Sequence, residues 1–318
     1  MTTAHSHEEA SATTPTAPST VSNGPIREDV APTQALPEQC ARVHGKVYDL
    51  LKREPRTERI REVQRQTRIS LRVLGDALQR YTLDEISFSY NGGKDCLVLL
   101  ILYLAALHTH SQGQQPPPLI EDANTSDRAN DHEVSHANAD TAHQKLFQLP
   151  PTLRSVYIVS PNPFPAVTSF VASSSQKYHL SLARYHKPMK EAFASYLHDY
   201  PTVKAIFVGT RRTDPHGASL THFDPTTDDW PSFTRIHPVI DWHYADIWSF
   251  IREVGVEYCE LYDMGYTSLG GTDDTHPNPA LAVASAEGGE VKYRPAYELV
   301  QDGEERLGRD GLKKTASV

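Results

Sequence analysis

The sequence predicts an α/β fold: one domain on a mostly parallel sheet flanked by helices. Three observations carry this. Short strand-like runs alternate with segments of helical period, the pattern of strands joined by crossover helices. One run, Ala205 to Gly209 (AIFVG), is apolar at every position before its glycine, as in strands buried on both faces. A third feature is a strand that ends in a Gly-Gly turn and leads at once into an apolar helix, from Ser87 to Leu107.

The elements follow in chain order. Between Cys40 and Tyr81, Val43, Val47, Leu50 and Leu51, then Ile60, Val63, Ile69, Val73, Leu74 and Leu78 recur near helical spacing; two helices with a break near Pro55 are expected. Glu85 to Ser89 is a short strand. Asp95 to Leu107 is a helix apolar almost all round, and therefore buried. Strands are expected at Val156 to Val159 and Tyr178 to Leu182, with helices at Pro163 to Ala172 and Lys190 to Leu197. The AIFVG strand comes next, then a loop of about thirty residues, then a helix from His243 to Val254. Trp242 and Trp248 read as core.

Two polar stretches frame this pattern. Residues 1–36 are rich in Thr, Ser, Ala, Pro and His and read as a disordered tail. A second stretch, about 108–148, interrupts a helix–strand connection and reads as a disordered surface insertion. Residues 312–318 form a short end, so the domain is expected over 37–311.

Composition excludes several classes. A formal net charge of −9 argues against a nucleic-acid partner, because neutralising phosphates needs clustered Lys and Arg. The longest apolar run, Cys96 to Leu107, is about half the roughly 20 residues of a membrane span. Met1 to Ala10 carries Glu8 and Glu9 and no apolar block, so neither a secretory nor a mitochondrial leader is expected. Cys40, Cys96 and Cys259 lie far apart with no CxxC pair, which speaks for a reducing, cytoplasmic compartment. The histidines at 5, 7, 108, 110, 132, 136 and 143 fall mostly in the polar stretches and no HExxH occurs, so no structural metal site is expected.

The sharpest local feature is Ser89-Tyr90-Asn91-Gly92-Gly93-Lys94-Asp95-Cys96. Its glycines permit positive φ and close approach of a bulky anion. The unpaired N–H groups and dipole of the following helix point at that anion, and Lys94 adds a charge. The spacing fits neither GxxxxGK[ST] nor GxGxxG. It is similar to the PP-loop (SGGxDS type), with Asn91 in place of the first Ser and Cys96 in place of the second. Gly209-Thr210-Arg211-Arg212-Thr213-Asp214-Pro215 then sits at the carboxyl end of the fourth strand, where open α/β sheets bind ligands. Further blocks follow: Asp228-Asp229-Trp230-Pro231, RIHPVIDW from Arg235, YCELYDMGYTSLG from Tyr258, PNP at 277–279, and PAYEL with ERLGR at 295–309.

This succession resembles the eukaryotic FAD synthase (FMN adenylyltransferase) family of the PP-loop, phosphoadenylyl-sulfate-reductase-like superfamily. The likeness runs from about Cys40 to Gly311, and the Asn of NGGKD marks this branch. Fungal members are this domain alone, whereas animal members carry an additional amino-terminal domain; the fungal form is expected here. The resemblance implies a nucleotidyltransferase that makes FAD and pyrophosphate from FMN and ATP with Mg²⁺; a monomer is expected. The FMN phosphate is already mostly dianionic at neutral pH, since its second pKa is about 6, and needs no general base.

Carried over by motif, ATP is implied at Ser89, Tyr90, Asn91, Gly92, Gly93, Lys94, Asp95 and Arg211. FMN is implied at Arg212, Asp228, Trp230, Tyr266, Gly270, Arg306 and Arg309. Asn91, Asp95, Asp214, Arg306 and Arg309 are the catalytic set, with Asn91 also placing the FMN phosphate and Asp95 a Mg²⁺ ligand. Arg306 and Arg309 are three apart and are expected on one helical face. Three rivals are weighed: a thiol-dependent sulfonucleotide reductase, which would need a mobile carboxy-terminal cysteine where none follows Cys259; an RNA-modifying PP-loop enzyme, which would need a basic face; and a flavin- or nucleotide-binding protein without turnover.

Overall fold

In the computed structural model, residues 34–119, 148–227, 229–283 and 291–310 are described. Two helices open the described chain. Helix α1 (Leu36–Lys52) carries Pro37 in its first turn, where its missing N–H would be unpaired anyway. It buries Leu36, Cys40, Val43, Val47, Leu50 and Leu51. The break around Pro55 holds, and the Thr57 hydroxyl accepts from the Ile60 N–H at 3.2 Å to cap α2 (Glu58–Arg80). The core begins at Leu36, so the expected boundary of the amino-terminal tail shifts slightly; residues 1–33 lie outside the described residues.

Strand β1 (Ile86–Ser89) sits mid-sheet, between β2 (Leu153–Ile158) and β4 (Ala205–Phe207). With β3 (Leu180–Tyr185), β5 (Phe223–Pro225) and β6 (Thr234–Ile236), the order is β3-β2-β1-β4-β6-β5. All neighbours are parallel except β5, which runs antiparallel at the edge. The mostly parallel sheet with flanking helices is therefore as expected. The loop after β4 is not: it contains β5 and β6. Each is three residues long, too short to show a period of two, and Pro225 is tolerated only because β5 is an edge strand.

Alternate strand residues feed two cores. Phe88 and Phe207 face a large core with α1, α2, α3 (Lys94–Ser111), α4 (Pro165–Lys177) and α6 (Tyr244–Val254). Val156 and Ile206 face a smaller one with Phe193 and Tyr196 of α5 (Met189–Asp199). Every residue from Leu97 to Leu107 of α3 is buried, because helices and sheet surround it. This helix runs on to Ser111, four residues into the expected insertion, with Thr109 buried and donating to the Ala105 carbonyl. Residues 120–147 of that insertion and 312–318 lie outside the described residues. After α6 the chain makes short 3-10 turns and a small hairpin, β7 (Ala282–Val283) with β8 (Lys292–Tyr293).

Candidate active site

The chain leaves β1 toward β2 and β3 on one side, then returns to β4 on the other. The β1/β4 boundary is thus the topological switch point, where loops diverge and open a crevice at the carboxyl ends of the strands. A cleft of about 270 Å³ lies there. Ser89, Asn91, Gly93, Asp95 and Cys96 from the phosphate loop line it, opposite Gly209, Thr210 and Asp214 from the loop after β4. Ile158, Val167 and Val208 supply an apolar wall; Tyr262, Ser268 to Gly270, Glu305 and Arg306 close the remaining side.

Local geometry explains the loop residues. Gly92 sits at φ +75°, where a Cβ would also fall 2.7 Å from Val171 Cγ2. Gly93 is ordinary extended backbone at φ −69° and serves as the N-cap of α3, so only one of the two glycines uses the left-handed region. Its N–H donates to Asn91 Oδ1 at 2.9 Å, and the Cys96 thiol donates to the same oxygen at 2.9 Å. Cys96 thereby does for Asn91 what a serine hydroxyl would do, and burial pushes its thiol up to about 12. The Lys94 N–H at the start of α3 donates to the Tyr262 hydroxyl at 2.9 Å. Gly209 packs on the backbone of Asp95 and Cys96 so closely that a Cβ would stand 2.8 Å from Cys96 N.

The charges are arranged differently from the sequence expectation. Lys94 is 2% exposed, and its Nζ bonds Asp95 Oδ2 at 3.0 Å and Glu305 Oε1 at 2.5 Å, beneath the Tyr244 ring. Arg211 is fully buried, pairs with Glu305, and has Nε 2.7 Å from Asp95 Oδ1, off the line of a hydrogen bond. Neither side chain is a free cation for a phosphate; both anchor carboxylates that line the cleft. Burial alone would raise the Asp95 carboxyl, but Arg211 and then Lys94 outweigh it and hold it below the usual range. Asp214 moves the other way, raised by burial and by the Asp95 charge.

Arg306 and Arg309 are not on a helix. They lie in a turn, with the Arg309 N–H donating to the Arg306 carbonyl at 2.9 Å and Arg309 bridged to Thr275. Arg306 faces the cleft with its nearest carboxylate, Asp214, 3.8 Å away. Arg309 donates to Asp274 at 3.0 Å and lies against Gly270 at the rim. A turn, not the expected helical face, carries the two arginines, and of the pair Arg306 lines the cleft while Arg309 lies at its rim.

Several other assignments move. Tyr90 is buried core, its hydroxyl donating to Ser174. Arg212 turns outward onto Asp241 and the carbonyls of Ala218 and Leu220. Trp230 packs on the α5 core, and Tyr266 stacks edge-on against Phe164; neither lines the cleft. Asp228 lies outside the described residues. Trp242 and Trp248 are core, as read. Glu305 and Tyr262 were missed: both stand in motifs visible in the sequence, but only the fold brings them to Lys94. Cys259 is buried and its thiol is raised by that burial, the reverse of what a nucleophilic thiolate requires.

Residues 85–277 match the phosphoadenosine phosphosulfate reductase domain family. Over 273 residues the chain is 34% identical to a probable FAD synthase of Schizosaccharomyces pombe, spanning 86% of this chain and 89% of that one. The chain belongs to the FAD synthase family. The flavin adenine dinucleotide synthase of Saccharomyces cerevisiae is 37% identical over 203 residues, 62% of this chain and 60% of that one. Candida glabrata FMN adenylyltransferase, solved with FAD and inorganic pyrophosphate, superposes with a TM-score of 0.73 at 28% identity, covering 88% of this chain and 99% of that one. The blocks NGGKD, GTRRTDP and ERLGR each supply residues that line the cleft.

Proposed function

We propose that this chain is an FMN adenylyltransferase: a phosphate oxygen of FMN attacks the α-phosphorus of ATP, the bond from that phosphorus to the β-phosphate oxygen breaks, and FAD and pyrophosphate result. The single observation that carries the reading is the opposition, across one cleft at the sheet's switch point, of the phosphate loop and Arg306. Two anions must be held in line while charge builds on the transferring and leaving groups, and positioning with electrostatic stabilisation suffices for such a step.

Asn91, fixed by the Gly93 N–H and the Cys96 thiol, presents its amide at the mouth of the loop. It orients the FMN phosphate beside the ATP. Arg306 neutralises the reacting phosphates, and Arg309 supports the same wall. Lys94 and Arg211 act by holding Asp95 and Glu305 in place and Asp95 ionised. Asp95 and Asp214 face the cleft as carboxylates beside a triphosphate, which fits Mg²⁺, an ion bound through one or two carboxylates plus substrate phosphates. No cluster of three or more His, Cys, Asp and Glu forms a cation cage among the described residues, which accords with an ion that arrives on the nucleotide. Bound Mg²⁺ would lower the charge on the leaving pyrophosphate.

A cytoplasmic monomer with residues 37–311 as the catalytic unit belongs to the same proposal. No helix among the described residues is long and apolar enough to cross a membrane. The test is direct: purified protein with FMN, ATP and Mg²⁺ should release FAD and pyrophosphate in equal amounts, and chelation with EDTA should stop it. Binding of both substrates with no FAD formed would leave a binding protein instead.

A further inference from the structure

The turn that carries Glu305 and Arg306 has little apolar anchorage, with Leu307 about half exposed. Besides the Glu305 pairs with Lys94 and Arg211 and the Thr275–Arg309 bridge, its backbone is held by a buried polar clasp from the neighbouring loop. Thr267 is 1% exposed and Asn278 is fully buried. The Thr267 hydroxyl donates to the Glu305 carbonyl at 2.6 Å and accepts from Asn278 Nδ2 at 2.8 Å. The second Asn278 amide proton goes to the Glu304 carbonyl at 2.7 Å, and its Oδ1 accepts from the Ala280 N–H at 2.9 Å. Both protons and the oxygen are used, so the amide orientation is determined by its partners. A network satisfied in this way rigidifies the backbone it holds.

We propose that Thr267 and Asn278 are positioning residues that act through Arg306, setting the place from which its guanidinium reaches the reacting phosphates. Neither lines the cleft, so neither touches substrate. The inference rests on the proposed role of Arg306. The phosphate loop has its own contacts through Asn91, Cys96 and Tyr262, beside the Lys94–Glu305 pair that joins it to the turn, so displacing the turn affects turnover more than nucleotide binding.

The test is a double-mutant cycle on the full chain with Thr267→Val, Asn278→Ala and Arg306→Ala. A displacement of about 1 Å at a reacting group costs on the order of 10²-fold. Thr267→Val and Asn278→Ala should each lower kcat for FAD formation by about 10- to 100-fold, with the affinity for an α,β-methylene ATP analogue within about twofold of wild type. In an Arg306→Ala background each should cost less than about twofold more, because the group they position is gone. Thr267→Ser, which keeps the hydroxyl, should restore kcat. Undiminished losses in the Arg306→Ala background would overturn the inference alone, since the clasp would then serve only the fold. Native turnover in Arg306→Ala would overturn the role of Arg306 and the inference with it. If Asn278→Ala does not fold, the Thr267→Val arm decides.

Discussion

Deleting the Glu305 carboxylate tests the charge arrangement at the cleft most severely. Glu305→Ala removes the 2.5 Å bond from Lys94 and the pair with Arg211 together. Lys94 then keeps Asp95 alone, and Arg211 keeps Asp95 with Asp302 and Asp214 only at 3.7 and 3.9 Å. Both cations are essentially out of water, so solvent screening gives little relief. Breaking a buried pair by removing one partner costs about 3–5 kcal/mol. Domains are typically stable by about 5–15 kcal/mol. With a urea slope of about 3 kcal/mol/M for a chain of this size, the unfolding midpoint should fall by about 1 M or more. Glu305→Gln keeps one acceptor but turns an amide donor toward a cation, for a smaller loss of about 1.5–3 kcal/mol. The assay is equilibrium urea unfolding followed by fluorescence, paired with titration of an ATP analogue at low temperature. Nucleotide affinity should not fall in the folded variant, because the lost charge is negative. A midpoint within about 0.3 M of wild type would refute the view that Glu305 pins Lys94 and Arg211.

Gly92→Ala should weaken ATP binding about tenfold or more while leaving the fold intact. The left-handed φ alone costs roughly 1–2 kcal/mol for a residue with a Cβ, and Val171 must also give way; calorimetric titration checks it, and native affinity would exclude the loop geometry. His237, 1% exposed, is lowered to about 4 by burial and by the nearby Arg235 charge. Between pH 6.5 and 4 the unfolded chain therefore binds the extra proton. Stability carried by neutral His237 is present above pH 6.5 and is lost as pH falls toward 4, by up to about 3 kcal/mol. Unfolding midpoints at pH 7 and pH 5 should differ more in the wild type than in His237→Leu; equal differences would refute the assignment.

The parts of the molecule legible in the sequence are those specified locally. The apolar run of α3, the glycine turn before it and the bare strand at 205–207 each declare themselves within about twenty residues, and each stands where expected. What escaped depends on partners distant in the chain. A lysine after Gly-Gly looks like a phosphate ligand until a carboxylate 211 positions away proves to neutralise it. Arg211 presents the same ambiguity, and so does Tyr90, whose neighbours in sequence are loop residues but whose ring lies in the core. The spacing of Arg306 and Arg309 permits a helix and equally a turn; the Gly308 between them and the Thr275 bridge decide for the turn. Strands β5 and β6 carry no alternation to read, because three residues hold less than two periods.

A cleft for two phosphorylated ligands that carries more fixed acid than base has a physical logic. Asp95, Asp214, Asp302 and Glu305 face Lys94, Arg211 and Arg306 in one connected cluster. Of the three cations, the first two are buried against carboxylates, and only Arg306 turns into the cleft with a distant counter-ion. A bare triphosphate would meet net repulsion there, at short range and in a medium of low dielectric, where each charge counts for more than in water. The same triphosphate complexed to a divalent cation carries about half the charge and brings a partner for Asp95 and Asp214. The acid excess therefore favours the metal-complexed nucleotide over the free one. It also leaves Arg306, the least tightly paired of the three cations, to meet the second phosphate when it arrives, so the placement of the turn that carries it bears directly on turnover.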